Sequence, residues 1–241
     1  MSWNGRMDMV NWLRRFRPEP LPTSYRERVR ASAGAFVGIL IVGVVSTLGI
    51  GSIRDLPMLI APMGASAVLL FGAPASPLAQ PWSIIGGNLF AALVGVTAAH
   101  WIGSPFVASA VAVGVSFALM SLFRCIHPPS GAVALTAVLG GPHVLAAGYL
   151  FVLVPVGLNT VLLTLAALAY NNATGRSYPH VAHPPAHPHP PVSRLYLTGD
   201  DLDEVLADYG EAVDISRDDL EKLFHELLGR AQRRALTSVL E

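Results

Sequence analysis

Charge is what this sequence most lacks. Only 13% of its 241 residues are Asp, Glu, Lys or Arg, about half of the roughly 25% typical of a soluble domain. Between positions 31 and 170 the charged residues are Arg54, Asp55 and Arg124. One soluble core does not need several apolar runs of about 18 to 20 residues, so a soluble enzyme is excluded. Disorder is excluded for the same stretch, which is far too apolar. The formal net charge is zero and no basic stripe supplies the footprint that neutralises phosphates, so no nucleic-acid partner is expected. Cysteine is nearly absent as well. Cys125 stands alone, which rules out an internal disulfide and a Cys-rich zinc site. No metal or cofactor is expected.

What is present is membrane-like. Residues 1–30 carry seven arginines against Asp8, Glu19 and Glu27, a net charge of +4, as expected of a cytoplasmic flank. Met9, Val10, Trp12, Leu13 and Phe16 alternate with basic residues there, which suits either an interfacial helix or a disordered lead-in. The first apolar run starts too late and continues too long for a cleaved signal peptide, so it is expected to stay as an anchor. Four runs, 31–50, 82–100, 106–123 and about 144–170, are long enough to cross a bilayer, which takes about 20 helical residues. Small residues such as Gly34, Gly38, Gly86, Gly87 and Ala112 recur within them and permit close helix packing.

Two shorter apolar pieces, 62–71 and 129–139, give helices of about 15 Å, half the hydrocarbon thickness. They align as Pro62-x-Gly64-Ala65-x-Ala67 and Pro129-x-Gly131-Ala132-x-Ala134. Each lies between long runs, so the chain parses as long, short, long, twice over. The two halves are inverted if each short helix continues across the membrane, and parallel if it turns back. The inverted arrangement is favoured because carriers with mid-plane sites use broken helices in that way.

Proline at a first helical position costs no hydrogen bond. The amides that follow, on Met63, Gly64 and Ala65 in one copy and Ser130, Gly131 and Ala132 in the other, lack an intrahelical acceptor. In the bilayer centre each needs a partner. A small anion, attracted to positive helix ends, is the expected one; a carbonyl or a water is the alternative. His127, just before the prolines, either donates to that anion and exchanges a proton with it, or bonds a carbonyl as a residue leading into the helix. Asn88, Asn159 and Thr160 suit interhelical hydrogen bonds better than a pore lining. Arg124 reads as a snorkelling interfacial arginine. Cys125 and His127 lack a third group for nucleophilic catalysis, so no enzyme and no catalytic residue is expected.

The segment Arg124-Cys125-Ile126-His127-Pro128-Pro129-Ser130-Gly131-Ala132, with Ala61-Pro62-Met63-Gly64-Ala65-Ser66-Ala67 upstream, resembles the HPP family of integral membrane proteins. The likeness covers about residues 25–172 and extends to Pro77, Gln80-Pro81-Trp82 and Gly86-Gly87-Asn88. It implies a four-helix transmembrane domain described as a transporter, with members in cyanobacteria and chloroplasts associated with nitrite. The family motif falls on His127, Pro128 and Pro129. The later triplets at His183 and His189 lie in a low-complexity tail and carry no weight.

Residues 173–193 form a linker rich in Pro and His, read as a spacer rather than a metal site. Residues 194–241 hold Ser216-x-x-Asp219 ahead of Leu220, Leu223, Phe224, Leu227 and Leu228, an amphipathic helical pattern. This stretch resembles the connector that leads into CBS modules in some bacterial relatives. The expectation is therefore an all-α, polytopic membrane helical bundle with four long transmembrane helices and two half-helices arranged as an internal repeat. Its units are a basic segment 1–30, a transmembrane domain 31–172, the linker, and a cytoplasmic helical segment 194–241. It would sit in a bacterial inner membrane with both termini cytoplasmic, as a homo-oligomer in contact with lipid. Its function would be to pass a small anion at Met63, Gly64, Ala65, His127, Ser130, Gly131 and Ala132; the alternative is a membrane sensor or anchor acting through its tail.

Overall fold

The computed structural model describes residues 16, 23–50, 57–180, 199–209 and 217–237. Most of the N-terminal segment read as an interfacial helix or a disordered lead-in, Arg54, Asp55 and most of the Pro/His linker lie outside them. Within them the chain is an all-helical membrane bundle: α1 (Tyr25–Ile50), α2 (Pro62–Gly72), α3 (Pro81–Trp101), α4 (Pro105–Leu122), α5 (Ser130–Leu139), α6 (Pro142–Ala147), α7 (Leu158–Ala173), α8 (Gly199–Tyr209) and α9 (Arg217–Thr237). Four spans among the described residues are long and apolar enough to cross a membrane: Tyr25–Leu48, Pro81–Trp101, Pro105–Leu122 and Val152–Ala173. Prolines open α2, α3 and α4 where an amide would have lacked a helical acceptor in any case.

The fourth apolar run is not one helix, contrary to expectation. Gly148, at φ 53°, ends α6, a conformation that favours glycine. The chain then passes through a widened turn, Val152–Gly157, in which Pro155 has no amide to donate and Val154 is extended. Regular helix resumes at Leu158.

Hydrogen bonds and close glycine contacts fix the directions of α1 to α5 and α7. Arg30, near the start of α1, bonds Asn171 near the end of α7 and the Phe71 carbonyl near the end of α2. Ser46, toward the other end of α1, accepts from Asn159 at the start of α7, and Asn159 also accepts from the Ile60 amide just before α2. So α1 runs from a near face to a far face, while α2 and α7 run back. The loop after α2 returns to the near face, where Tyr178 Oη donates to the Ala79 carbonyl. α3 therefore rises, and Trp82 Nε1 donating to the Phe123 carbonyl shows that α4 descends beside it. A Cβ on Gly87 would meet Ser130, and one on Gly95 would meet Ala134 and Ala137, so α5 rises alongside α3.

The two short helices thus run in opposite directions, and the repeat is inverted. The packing obeys the same symmetry. Exchanging α1, α2 and α3 for α4, α5 and α7 turns the α1–α2 contact into α4–α5, α1–α7 into α4–α3, and α2–α7 into α5–α3. The α2–α5 and α3–α7 contacts map onto themselves. Glycine makes the tightest crossings: a Cβ on Gly38 would lie 2.6 Å from the Phe71 ring, and one on Gly95 would lie 2.7 Å from the Ala134 carbonyl oxygen.

Candidate functional site

A buried polar centre forms where the two units meet. α4 ends with Arg124 in the left-handed region (φ 54°) and the Cys125 amide bonded back to the Met120 carbonyl, which turns the chain inward. His127 is thereby carried into the bundle with no exposed surface. Its Nδ1 lies 2.9 Å from the Leu78 carbonyl oxygen and its Nε2 lies 2.8 Å from Ser66 Oγ on α2. A carbonyl oxygen only accepts, so Nδ1 bears the proton. In the neutral ring, Nε2 then accepts from the Ser66 hydroxyl.

Ser130, at the start of α5, donates to Asn88 Oδ1 at 2.8 Å, and Asn88 Nδ2 donates to Thr160 Oγ1 at 3.1 Å. All four of these hydrogen-bonding residues besides the ring, Ser66, Ser130, Asn88 and Thr160, are fully buried. Gly87 makes the approach of α3 feasible, because a Cβ there would lie 2.8 Å from Ser130 Oγ, 2.9 Å from His127 Cβ and 3.0 Å from the Cys125 carbonyl oxygen. Thr160 lies about 16 Å along α7 from the near-face Asn171, at 1.5 Å per residue, which places the cluster near mid-membrane. Neutral donors and acceptors at this depth are costly to leave unpaired, and here they pair with one another.

The short helices were expected to offer bare amides to an anion, and the structure corrects this. The Met63 and Gly64 amides bond the Ile60 and Ala61 carbonyls at 3.0 Å. The Ser130, Gly131 and Ala132 amides bond the carbonyls of His127, Pro128 and Pro129 at 2.9 to 3.1 Å. A tightened first turn satisfies them locally, as helix termini commonly do. Met63 packs into the core, Gly64, Ala65 and Ala132 are exposed on the single chain, and Gly131 is half-buried. Of the seven expected residues, His127 and Ser130 enter the polar centre.

Ser66, Asn88 and Thr160 join that centre although they were not among the expected site residues. A signal for the asparagines was present: Gly86-x-Asn88 and Gly157-x-Asn159 each place Asn eighth in the last span of their unit, counting from Pro81 and Val152. Their roles correspond. Asn88 holds the start of α5 through Ser130, while Asn159 holds the lead-in to α2 by accepting from the Ile60 amide and donating to the Met58 carbonyl. The expected interhelical bonding of Asn88, Asn159 and Thr160 is what the structure shows. Cys125 is buried and free, and both His127 nitrogens are engaged by other groups.

The near face carries a cluster of ionic groups. Glu27 receives Arg30 at 2.6 Å and Arg176 at 2.8 Å, and Arg30 also bonds Asn171 and Thr174. On the far face a cavity of about 500 Å³ lies between α3, α5 and α6, lined by Val96, Ala99, His100, Ala137, Val144 and Tyr149 among others. Among the described residues no group of three or more His, Cys, Asp or Glu is placed to hold a metal ion.

The profile of the HPP transmembrane region matches residues 20–179, about two-thirds of the sequence. The chain belongs to the HPP family. Similarity also extends to two transmembrane proteins of Dictyostelium discoideum, one 37% identical over 150 residues (60% of this chain, 52% of the relative) and one 35% identical over 150 residues (60% and 48%). The chain spans about half the length of these curated relatives. No solved structure matches it. The HPP motif itself, His127-Pro128-Pro129, is the turn that delivers the imidazole to the polar centre and starts α5.

Proposed function

We propose that this HPP protein is a transporter for a small inorganic anion, with nitrite the first substrate to test, and that the solute passes through the polar centre around His127. The observation that carries this reading is the meeting of two oppositely directed short helices at a buried cluster of His127, Ser66, Ser130, Asn88 and Thr160. Inverted units with broken helices at mid-membrane are the architecture of alternating access. The cluster has no solvent exposure, so this conformation is occluded and a solute enters only when the units rock apart.

The side chains, rather than the amides, would bind the anion. Ser66, Ser130, Thr160 and the Asn88 amide group can all turn a donor toward it. Neutral His127 presents a lone pair at Nε2, which repels anion oxygens; protonation turns that nitrogen into a donor. A bound anion therefore favours the protonated ring, and anion and proton would cross together. The near face would be cytoplasmic, because Arg26, Arg28, Arg30, Arg124 and Arg176 gather at its helix ends, and both ends of the transmembrane domain lie there. A plasma-membrane location and a homo-oligomer complete the proposal. The domain acts as a conduit and not as an enzyme.

The test is uptake by purified protein in sealed vesicles, with nitrite compared against nitrate, chloride and formate at two pH values. Uptake should rise as pH falls, and His127→Ala should remove that dependence. Asn88→Ala and Ser130→Ala should each slow uptake by on the order of tenfold, the worth of a hydrogen bond to a charged group. Correctly folded protein that moves none of these anions would sink the transporter reading. It would favour the sensor or anchor, for which the packing of α8 on α9 around a cavity of about 90 Å³ lined by Leu202, Val205, Phe224 and Leu228 supplies a tail surface.

A further inference from the structure

The imidazole of His127 owes its tautomer to a turn that is itself held from the near face. Leu78, whose carbonyl accepts from Nδ1, is the middle residue of the 3₁₀ turn Pro77–Ala79. The next carbonyl, that of Ala79, accepts from Tyr178 Oη at 2.6 Å, and Tyr178 is 2% exposed. Two residues on, the His180 amide donates to Gln80 Oε1 at 2.9 Å, and Gln80 Nε2 in turn binds the Pro74 and Ser76 carbonyls. The segment from 176 to 180 therefore grips the turn at two points. It is anchored by Arg176 on Glu27, and by Asn172, which donates to the Tyr178 carbonyl at 2.6 Å and accepts from the Tyr178 amide.

We propose that Tyr178 is a positioning residue for His127, acting through the turn that carries Leu78, and so keeps Nε2, the nitrogen that faces the polar centre, as an acceptor. This rests on the reading of His127 as part of the conduit. A neutral imidazole has two tautomers of similar intrinsic energy, and the stronger hydrogen bond selects between them. With the Leu78 carbonyl in line, the proton stays on Nδ1 and Nε2 offers its lone pair to Ser66. Once the turn relaxes, Nδ1–H loses its acceptor. The Nε2–H form, donating to Ser66 Oγ, then competes.

The experiment is nitrogen-15 NMR of histidine-labelled full-length protein in lipid nanodiscs, with the His127 signals assigned by their loss in His127→Gln. The wild type should show His127 neutral and protonated on Nδ1 alone. Tyr178→Phe should introduce an Nε2–H population of roughly a tenth or more, as expected when the net worth of one hydrogen bond is lost from the arrangement selecting the tautomer. Tyr149→Phe, which removes a hydroxyl bonded to Thr97 at the far face, should change nothing. A folded Tyr178→Phe protein with the wild-type tautomer overturns the proposal. Should that variant not fold, Asn172→Ala, which releases the Tyr178 backbone from the end of α7, takes its place, and an unchanged His127 spectrum there overturns the proposal. Uptake is measured separately on the same samples. A tautomer change without flux sinks the conduit and keeps the positioning role, whereas flux with an unchanged tautomer does the reverse.

Discussion

Single glycines in this chain have opposite meanings, and the structure separates them. A methyl on Gly87 would meet backbone oxygen and two site side chains at 2.8 to 3.0 Å. Gly87→Ala should therefore cost about 1 to 3 kcal/mol by overpacking, lower the unfolding temperature in detergent and displace Ser130 from Asn88. Nothing lies within 4 Å of a Cβ on Gly64 or Gly131. Alanine there should leave the melting point unchanged or slightly raised, since alanine is the better helix former. Tyr178 gives a second residue-scale expectation. Burial pushes its phenol above the ordinary tyrosine range, so the neutral form is favoured in the fold. Its contribution is complete below an unfolded value of about 10 and declines as pH rises past that. The stability difference between wild type and Tyr178→Phe should narrow in a pH series above about 10; a constant gap would show that the phenol is not ionising against its burial. His127 and Ser130 could be named from the sequence because a polar group beside a half-helix start is conspicuous in an apolar run. Ser66 and Tyr178 could not, since their partners lie 61 and 99 residues away.

At the scale of elements, composition and repeat spacing made the two short helices legible to within a residue or so, because a ten-residue apolar run after proline has few other forms in lipid. The state of their first amides was not legible. Whether an orphan amide finds an ion or a carbonyl three residues back depends on how tightly the first turn winds, and Pro62 and Pro129 are compatible with both. The broken fourth run was hidden for a related reason: Gly148 and Pro155 sit in an uncharged apolar stretch, and the span that contains Pro155 still has a mean hydropathy of 2.1. What replaces the ion as the organiser of each short helix is an asparagine from the other unit. Asn159→Ala should leave the buried Ile60 amide and Met58 carbonyl unpaired and cost about 1 to 3 kcal/mol, read as lost thermal stability and faster hydrogen exchange at Ile60. Asn88→Ala should act on α5 instead, leaving exchange at Ile60 near wild type. Equal effects of both substitutions at Ile60 would contradict the separate pinning of the two helices.

For the molecule as a whole, charge could not decide between parallel and inverted units, because the loops between the apolar runs carry almost none. Hydrogen bonds across the bundle decide it by joining elements far apart in sequence. The difference is accessible to labelling. With Cys125 replaced by serine, single cysteines at Ser24, Ala75, Ser104 and His143 can be tested with a membrane-impermeant maleimide applied to sealed vesicles of known orientation. Ser24 precedes α1 and Ala75 lies in the loop after α2, both on the near face in the inverted fold. Ser104 and His143 lie beyond α3 and at the start of α6, on the far face. The expected pattern is Ser24 with Ala75 and Ser104 with His143, each pair labelled from its own side. In parallel units that cross twice, Ala75 would instead label opposite Ser24, and Ser104 would label with it. The alternating access proposed above relies on the first pattern, because inverted units can exchange conformations and so open the same polar centre first to one side and then to the other. The labelling result therefore tests the mechanism independently of which anion, if any, the protein is found to carry.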